Sequence, residues 1–211
     1  YRKIILPTDY TVTNEGVQLG RMLFYDSTLS VNNTISCGSC HRPGNAFGDF
    51  TSHSLNVTGT TKRNTMPLYN LGMKQTFFWD GRVNTIANAA KDAFHGEQNF
   101  IFSNKVTLLQ QNPLYDSLFK KAYGKPGDIT EDKVYKSIEQ FLLTLISTNS
   151  PYDKIYQGTY NLTADEQAGF NLFMDASKGD CFHCHVDASY LSFHNLSAST
   201  SESFANNGLD T

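Results

Sequence analysis

CGSCH at residues 37–41 returns as CFHCH at residues 181–185, and these two copies contain all four cysteines of a 211-residue chain. A scattered disulfide framework would not need a histidine directly after each pair. Three chemistries use C-x-x-C: a zinc site, a redox dithiol and covalent haem attachment. Familiar zinc ribbons separate their pairs by roughly 15 to 20 residues, far less than the distance from Cys40 to Cys181. A thioredoxin-like dithiol sits at the end of a strand in a βαβ pattern, whereas the surroundings of Cys37 and Cys181 are polar and rich in Gly and Ser. Haem attachment accounts for every position. Two thiols add across the vinyl groups of one haem, and the following histidine becomes the proximal ligand of its iron. Two c-type haems are therefore expected, one on Cys37, Cys40 and His41, the other on Cys181, Cys184 and His185, with His183 as a spacer.

A second repeat accompanies the first. GRMLFYD (residues 20–26) and GFNLFMD (residues 169–175) both read G-x-x-L-F-x-D, each upstream of a haem motif. On a helix the Gly, Leu and Phe of each copy share one face, so the pattern reads as duplication of a cytochrome-like unit.

Helical signals dominate the rest. Thr163 with Glu166 forms a capping box ahead of Phe170, Phe173 and Met174, and Gly179 is the expected stop. Asn112 and Pro113 open a helix with Leu114, Leu118 and Ala122 on one side. From Thr130 a stripe of Val134, Ile138, Phe141, Leu142 and Leu145 runs toward a stop at Ser150 and Pro151. No segment keeps strand alternation beside a tight turn, and residues 52–64 read as a loop. The expected fold is all-α, with two cytochrome c-like haem domains and long loops, divided into residues 1–157 and 158–211.

A net charge of −3 and a pI near 6.1 argue against a nucleic-acid partner. The most apolar run, FLLTLI, is far below the roughly 20 residues of a membrane span. No basic, apolar leader opens the sequence at Tyr1, so any export signal is expected to have been removed or to lie outside this numbering.

Between the motifs, LGRMLFYDSTLS, KRNTMPLYN, FFWDGR and NSPYDKIYQGTYNLTADEQAGFNLF, with FANNGLD near the end, resemble the bacterial di-haem cytochrome c peroxidase family, which includes MauG-type enzymes. The resemblance implies a periplasmic enzyme that reduces hydrogen peroxide to water with electrons from a small cytochrome c or copper protein. A MauG-like oxidase acting on a protein side chain and a non-catalytic di-haem electron carrier are the alternatives. A homodimer is an assembly the resemblance allows.

It further implies that the His41 haem reacts with peroxide and the His185 haem admits electrons. Trp79, the only tryptophan, matches an aromatic thought to relay electrons between the haems, and Asn64 matches a ligand of a calcium ion between the domains. Glu97 sits where the family has its acid, able to shuttle a proton between the two peroxide oxygens. His53 is a candidate distal ligand of the first haem, with His95 as its rival. The family continues beyond the FANNGLD segment to a methionine or tyrosine that ligates the second iron, so either that ligand lies past Thr211 or the second haem is bound differently.

Overall fold

The computed structural model describes residues 4–182. The chain divides into two compact units, one spanning Ile4–Ile146 and a second beginning at Ser147. That division falls ahead of the boundary expected at residue 157, because a short helix (α7, Pro151–Tyr156) packs Tyr152 against Phe170, 6.2 Å between ring centres, on the helix that follows.

The larger unit holds α1 (Asn14–Tyr25), α2 (Cys37–Cys40), α3 (Ile86–Gly96), α4 (Phe102–Gln111), α5 (Pro113–Tyr123) and α6 (Glu131–Leu142), with one small hairpin, β1 (Leu55–Asn56) and β2 (Gly59–Thr60). Thr13 caps α1 by accepting from the Gly16 amide. From there Gly16, Leu19, Gly20, Leu23 and Phe24 are buried, the i, i+3, i+4, i+7 spacing of one helical face. This face lies on α6. A Cβ on Gly20 would overlap the Ser137 carbonyl, so the repeat's first glycine is what lets the two backbones approach.

α6 is buried almost all round, and its polar members are paired. Gln140 accepts from the Thr13 amide at 2.8 Å and donates to the Tyr123 hydroxyl at 3.3 Å. Glu139 accepts from the Tyr10 hydroxyl at 2.6 Å, and burial raises the carboxyl's pKa. Such pairing avoids the about 1–3 kcal/mol cost of an unsatisfied buried polar group.

Three sequence expectations need correction. α6 stops at Leu142 rather than continuing to Ser150, because Thr144 bonds back to the Phe141 carbonyl and the Leu145 carbonyl accepts from the Asn70 amide instead of extending the ladder. α5 begins at Asn112 and Pro113 as expected, yet it buries Tyr115, Leu118 and Phe119 while Leu114 stays 55% exposed. The Tyr115 hydroxyl donating to Asp26 at 2.6 Å sets that rotation. In the second unit, α8 (Ala164–Met174) carries the expected Thr163–Glu166 capping box but ends before Gly179. Asp175 terminates it, accepting from the Ser177 amide and hydroxyl. The second G-x-x-L-F-x-D copy lies on α8, but Leu172 is exposed and Gly169 faces open space.

Among the described residues the fold is therefore all-α apart from one short hairpin, and this hairpin occupies the segment read as a loop. Among the described residues no helix is long and apolar enough to cross a membrane.

Candidate haem-binding site

The first motif begins on a loop tied down by Ser30, whose fully buried hydroxyl accepts from the Thr34 and Ile35 amides. The Ser36 amide then donates to the Ser39 hydroxyl at 3.0 Å, closing the turn that forms α2. Cys37 and Cys40, at the two ends of this turn, are free thiols, and the His41 amide bonds the Cys37 carbonyl at 2.9 Å. Gly38 is required here, because a Cβ would overlap the Tyr25 ring.

The chain then doubles back. Ala46 and Phe47 are consecutive non-glycine residues in the left-handed region, with φ of 53° and 57°. Such a conformation costs of order 1–3 kcal/mol per residue and concentrates at functional sites. Here it turns the Phe47 carbonyl onto His41, which donates its Nδ1–H at 2.6 Å. With Nδ1 protonated, Nε2 carries the lone pair, which is how a histidine is prepared to ligate a metal. Burial lowers the imidazole's pKa, against the opposite pull of the Phe47 and Met66 carbonyls, and favours the neutral form. Phe24, 6.3 Å away between ring centres, supports the imidazole.

A wall of the site comes from two distant segments. Immediately after α3, the Gln98 side-chain amide donates to Cys37 Sγ at 3.4 Å, and the Gln98 carbonyl accepts from the Val31 amide. Gln98 is 3% exposed, and its Oε1 has no partner among the described residues. The hairpin forms the other part, with Cys40 Sγ donating to the Leu55 carbonyl at 3.5 Å. Burial pushes the Cys37 thiol up to about 12, and burial also raises Cys40. Among the described residues no group of three or more His, Cys, Asp or Glu could hold a metal ion. A haem fits better: two thiols on one turn, a histidine with its tautomer set, and an orphaned buried amide oxygen beside the attachment point.

Glu97 is brought to this wall. Its carbonyl accepts from the Val57 amide at 3.1 Å, and its carboxylate accepts from Asn56 at 3.2 Å. Trp79 lies in a turn opened by Phe78 (φ 67°) and Gly81 (φ 62°), and its indole donates to the Asn64 carbonyl at 2.9 Å. Asn64 in turn donates its side-chain amide to the Thr51 and Ser52 carbonyls. His53 is exposed, with Nδ1 bonded to the Thr61 carbonyl. His95 is engaged by Glu131 at 3.0 Å and by Tyr135 at 3.2 Å, away from Cys37 and Cys40 in its bonding. Cys181 donates to the Gly179 carbonyl, while His183, Cys184 and His185 lie outside the described residues. Sequence reasoning missed Gln98, Asn56 and the Phe47 carbonyl. Only the adjacency of Gln98 to Glu97 offered a signal.

Asp80 of the FFWDGR turn accepts from Arg63 at 2.7 Å and from Arg82 at 3.0 Å. Burial opposes its ionisation, but the two guanidiniums outweigh burial and hold the carboxyl below its usual range. Its contribution to stability is therefore complete above the ordinary aspartate value of about 3.9 and is lost as pH falls through the depressed folded value. Asp80→Asn should lower the melting temperature at neutral pH, and the difference should close as pH falls below about 4. A difference that stays constant across the titration would refute this assignment.

A family model described as di-haem cytochrome c peroxidase matches residues 14–161. The chain belongs to that family. Its cofactors are accordingly two c-type haems. The chain of this di-haem family member is 31% identical over 196 residues to the methylamine utilization protein MauG of Methylorubrum extorquens, covering 90% of this chain and 55% of that protein. It is 31% identical to the cytochrome c551 peroxidase of Nitrosomonas europaea, covering 80% of this chain and 50% of the other. A solved MauG-like protein associated with microbial copper homeostasis superposes with a TM-score of 0.81 at 30% identity, over 92% of this chain and 59% of that one. The chain thus spans about half the length of the curated relatives it matches.

Proposed function

We propose that the protein is a di-haem peroxidase that reduces hydrogen peroxide to water in the periplasm, using electrons from a small cytochrome or copper protein. Cys37 and Cys40 carry the first haem and His41 ligates its iron. Cys181, Cys184 and His185 serve the second in the same way, within a C-terminal domain. Bound haem supplies the redox centre at which electrons reach the peroxide. The protein's own residues do the remaining work. Glu97 takes the proton from one peroxide oxygen and returns it to the other, so that the departing oxygen leaves as water. Trp79, with its indole held by the Asn64 carbonyl, serves as the electron relay. Asn64 remains the calcium candidate and His53 the candidate distal ligand.

The observation that carries this reading is His41, whose Nδ1–H is committed to Phe47 directly beside two free thiols. Pyridine haemochrome analysis of the full-length protein should return two c-type haems, and a C37A/C40A variant should return one. Donor-dependent peroxide consumption should disappear in that variant. Fewer than two haems in the wild type would overturn the reading, as would the absence of donor-dependent turnover.

The MauG relatives and the MauG-like structure favour one second reading, oxidation of a protein side chain. Peroxide consumption that modifies a protein without oxidising the donor would select it. Two haems with reversible reduction and no peroxide consumption would instead indicate an electron carrier.

A further inference from the structure

We propose that Asn56 is a positioning residue for Glu97, with the β1–β2 hairpin acting as a clamp that aims the carboxylate. The inference rests on the proton-shuttle reading of Glu97.

Glu97 caps the C-terminal end of α3. That end carries the negative pole of the helix dipole, which disfavours a carboxylate and leaves helix carbonyls seeking donors. The hairpin supplies both needs. Its Val57 amide donates to the Glu97 carbonyl at 3.1 Å, fixing the backbone. Its Asn56 side-chain amide donates to Glu97 Oε2 at 3.2 Å, fixing the side chain.

The orientation of the Asn56 amide is over-determined. Its Oδ1 accepts from both the Thr58 amide, at 2.9 Å, and the Thr58 hydroxyl, at 3.1 Å. The NH2 group must then face the carboxylate. Glu97 Oε1 is left without a hydrogen-bond partner among the described residues, the arrangement a proton shuttle needs: one oxygen anchored, one available. The hairpin also reaches the haem-bearing turn, since the Leu55 carbonyl, one residue before Asn56, accepts from Cys40 Sγ. The acid and the attachment cysteine are thereby referenced to the same two-stranded element.

A double-mutant cycle on the full-length, haem-loaded protein tests this. Asn56→Ala should lower kcat/KM for peroxide by about 10- to 100-fold, the usual cost of losing an orienting partner, mostly in kcat. In an E97Q background the same substitution should change the rate less than about twofold, because residues acting through one another are non-additive. Asn56→Asp, which keeps the acceptor for Thr58 and removes the donor, should lose at least as much and guards against a hairpin that merely loosens. An infrared carboxylate band that vanishes in E97Q should shift in N56A at an unchanged melting temperature. Additive losses, or an unmoved band, would overturn the clamp while leaving Glu97 as the acid. Unchanged turnover in E97Q alone would instead overturn the proton-shuttle reading and the clamp's purpose with it.

Discussion

Glu97→Gln is expected to reduce kcat/KM for hydrogen peroxide by about 10²- to 10⁴-fold, the range typical of a positioned general acid–base. Glutamine preserves length and volume and can still meet the Asn56 amide through its own oxygen. What it cannot do is accept a proton from one peroxide oxygen and return it to the other. Haem content and melting temperature should match the wild type, because the backbone bond from Val57 to the Glu97 carbonyl does not depend on the carboxylate. Stopped-flow mixing with peroxide measures the effect directly. A rate within about twofold of wild type would remove Glu97 from the mechanism.

The largest stability effect is expected at Phe24. It is 1% exposed and sits among the rings of Phe141 at 5.3 Å, Phe47 at 6.2 Å and His41 at 6.3 Å. Phe24→Ala should cost about 3–5 kcal/mol in denaturant unfolding, combining lost transfer energy with the cavity left behind. The same change should disturb the iron's ligand field, because Phe24 is the wall against which the His41 ring rests. Leu114→Ala is the control. Leu114 was expected on the buried side of α5 yet is mostly exposed, so its truncation should stay within about 0.5 kcal/mol. Equal costs at the two positions would contradict the burial pattern.

The contrast between Phe24 and Leu114 also separates what could be read in advance from what could not. Both lie at helical spacings with apolar neighbours. Periodicity alone admits either of two adjacent stripes on α5, and the bond from Tyr115 to Asp26, between residues far apart in the chain, selects one. The end of α6 follows the same logic, since the Leu145 carbonyl is claimed by Asn70 rather than by the next helical turn. Glu97 was placed by resemblance alone, and nothing in its neighbours along the chain announced the hairpin that holds it.

By itself, the sequence determined the cofactor chemistry, the all-α class and the helix starts at Asn112, Thr130 and Thr163. These signals are complete within three or four residues: a thiol pair with its histidine, or a cap with the amide it bonds. Tertiary structure alone decided which helix faces are buried, where α6 stops, how Phe47 and Gln98 converge on the first motif, and how Asn56 meets Glu97. Those outcomes depend on partners brought together only after the chain has closed long loops. A backbone carbonyl turned by two left-handed residues, or an amide aimed by a two-residue strand, leaves no periodic trace in the sequence.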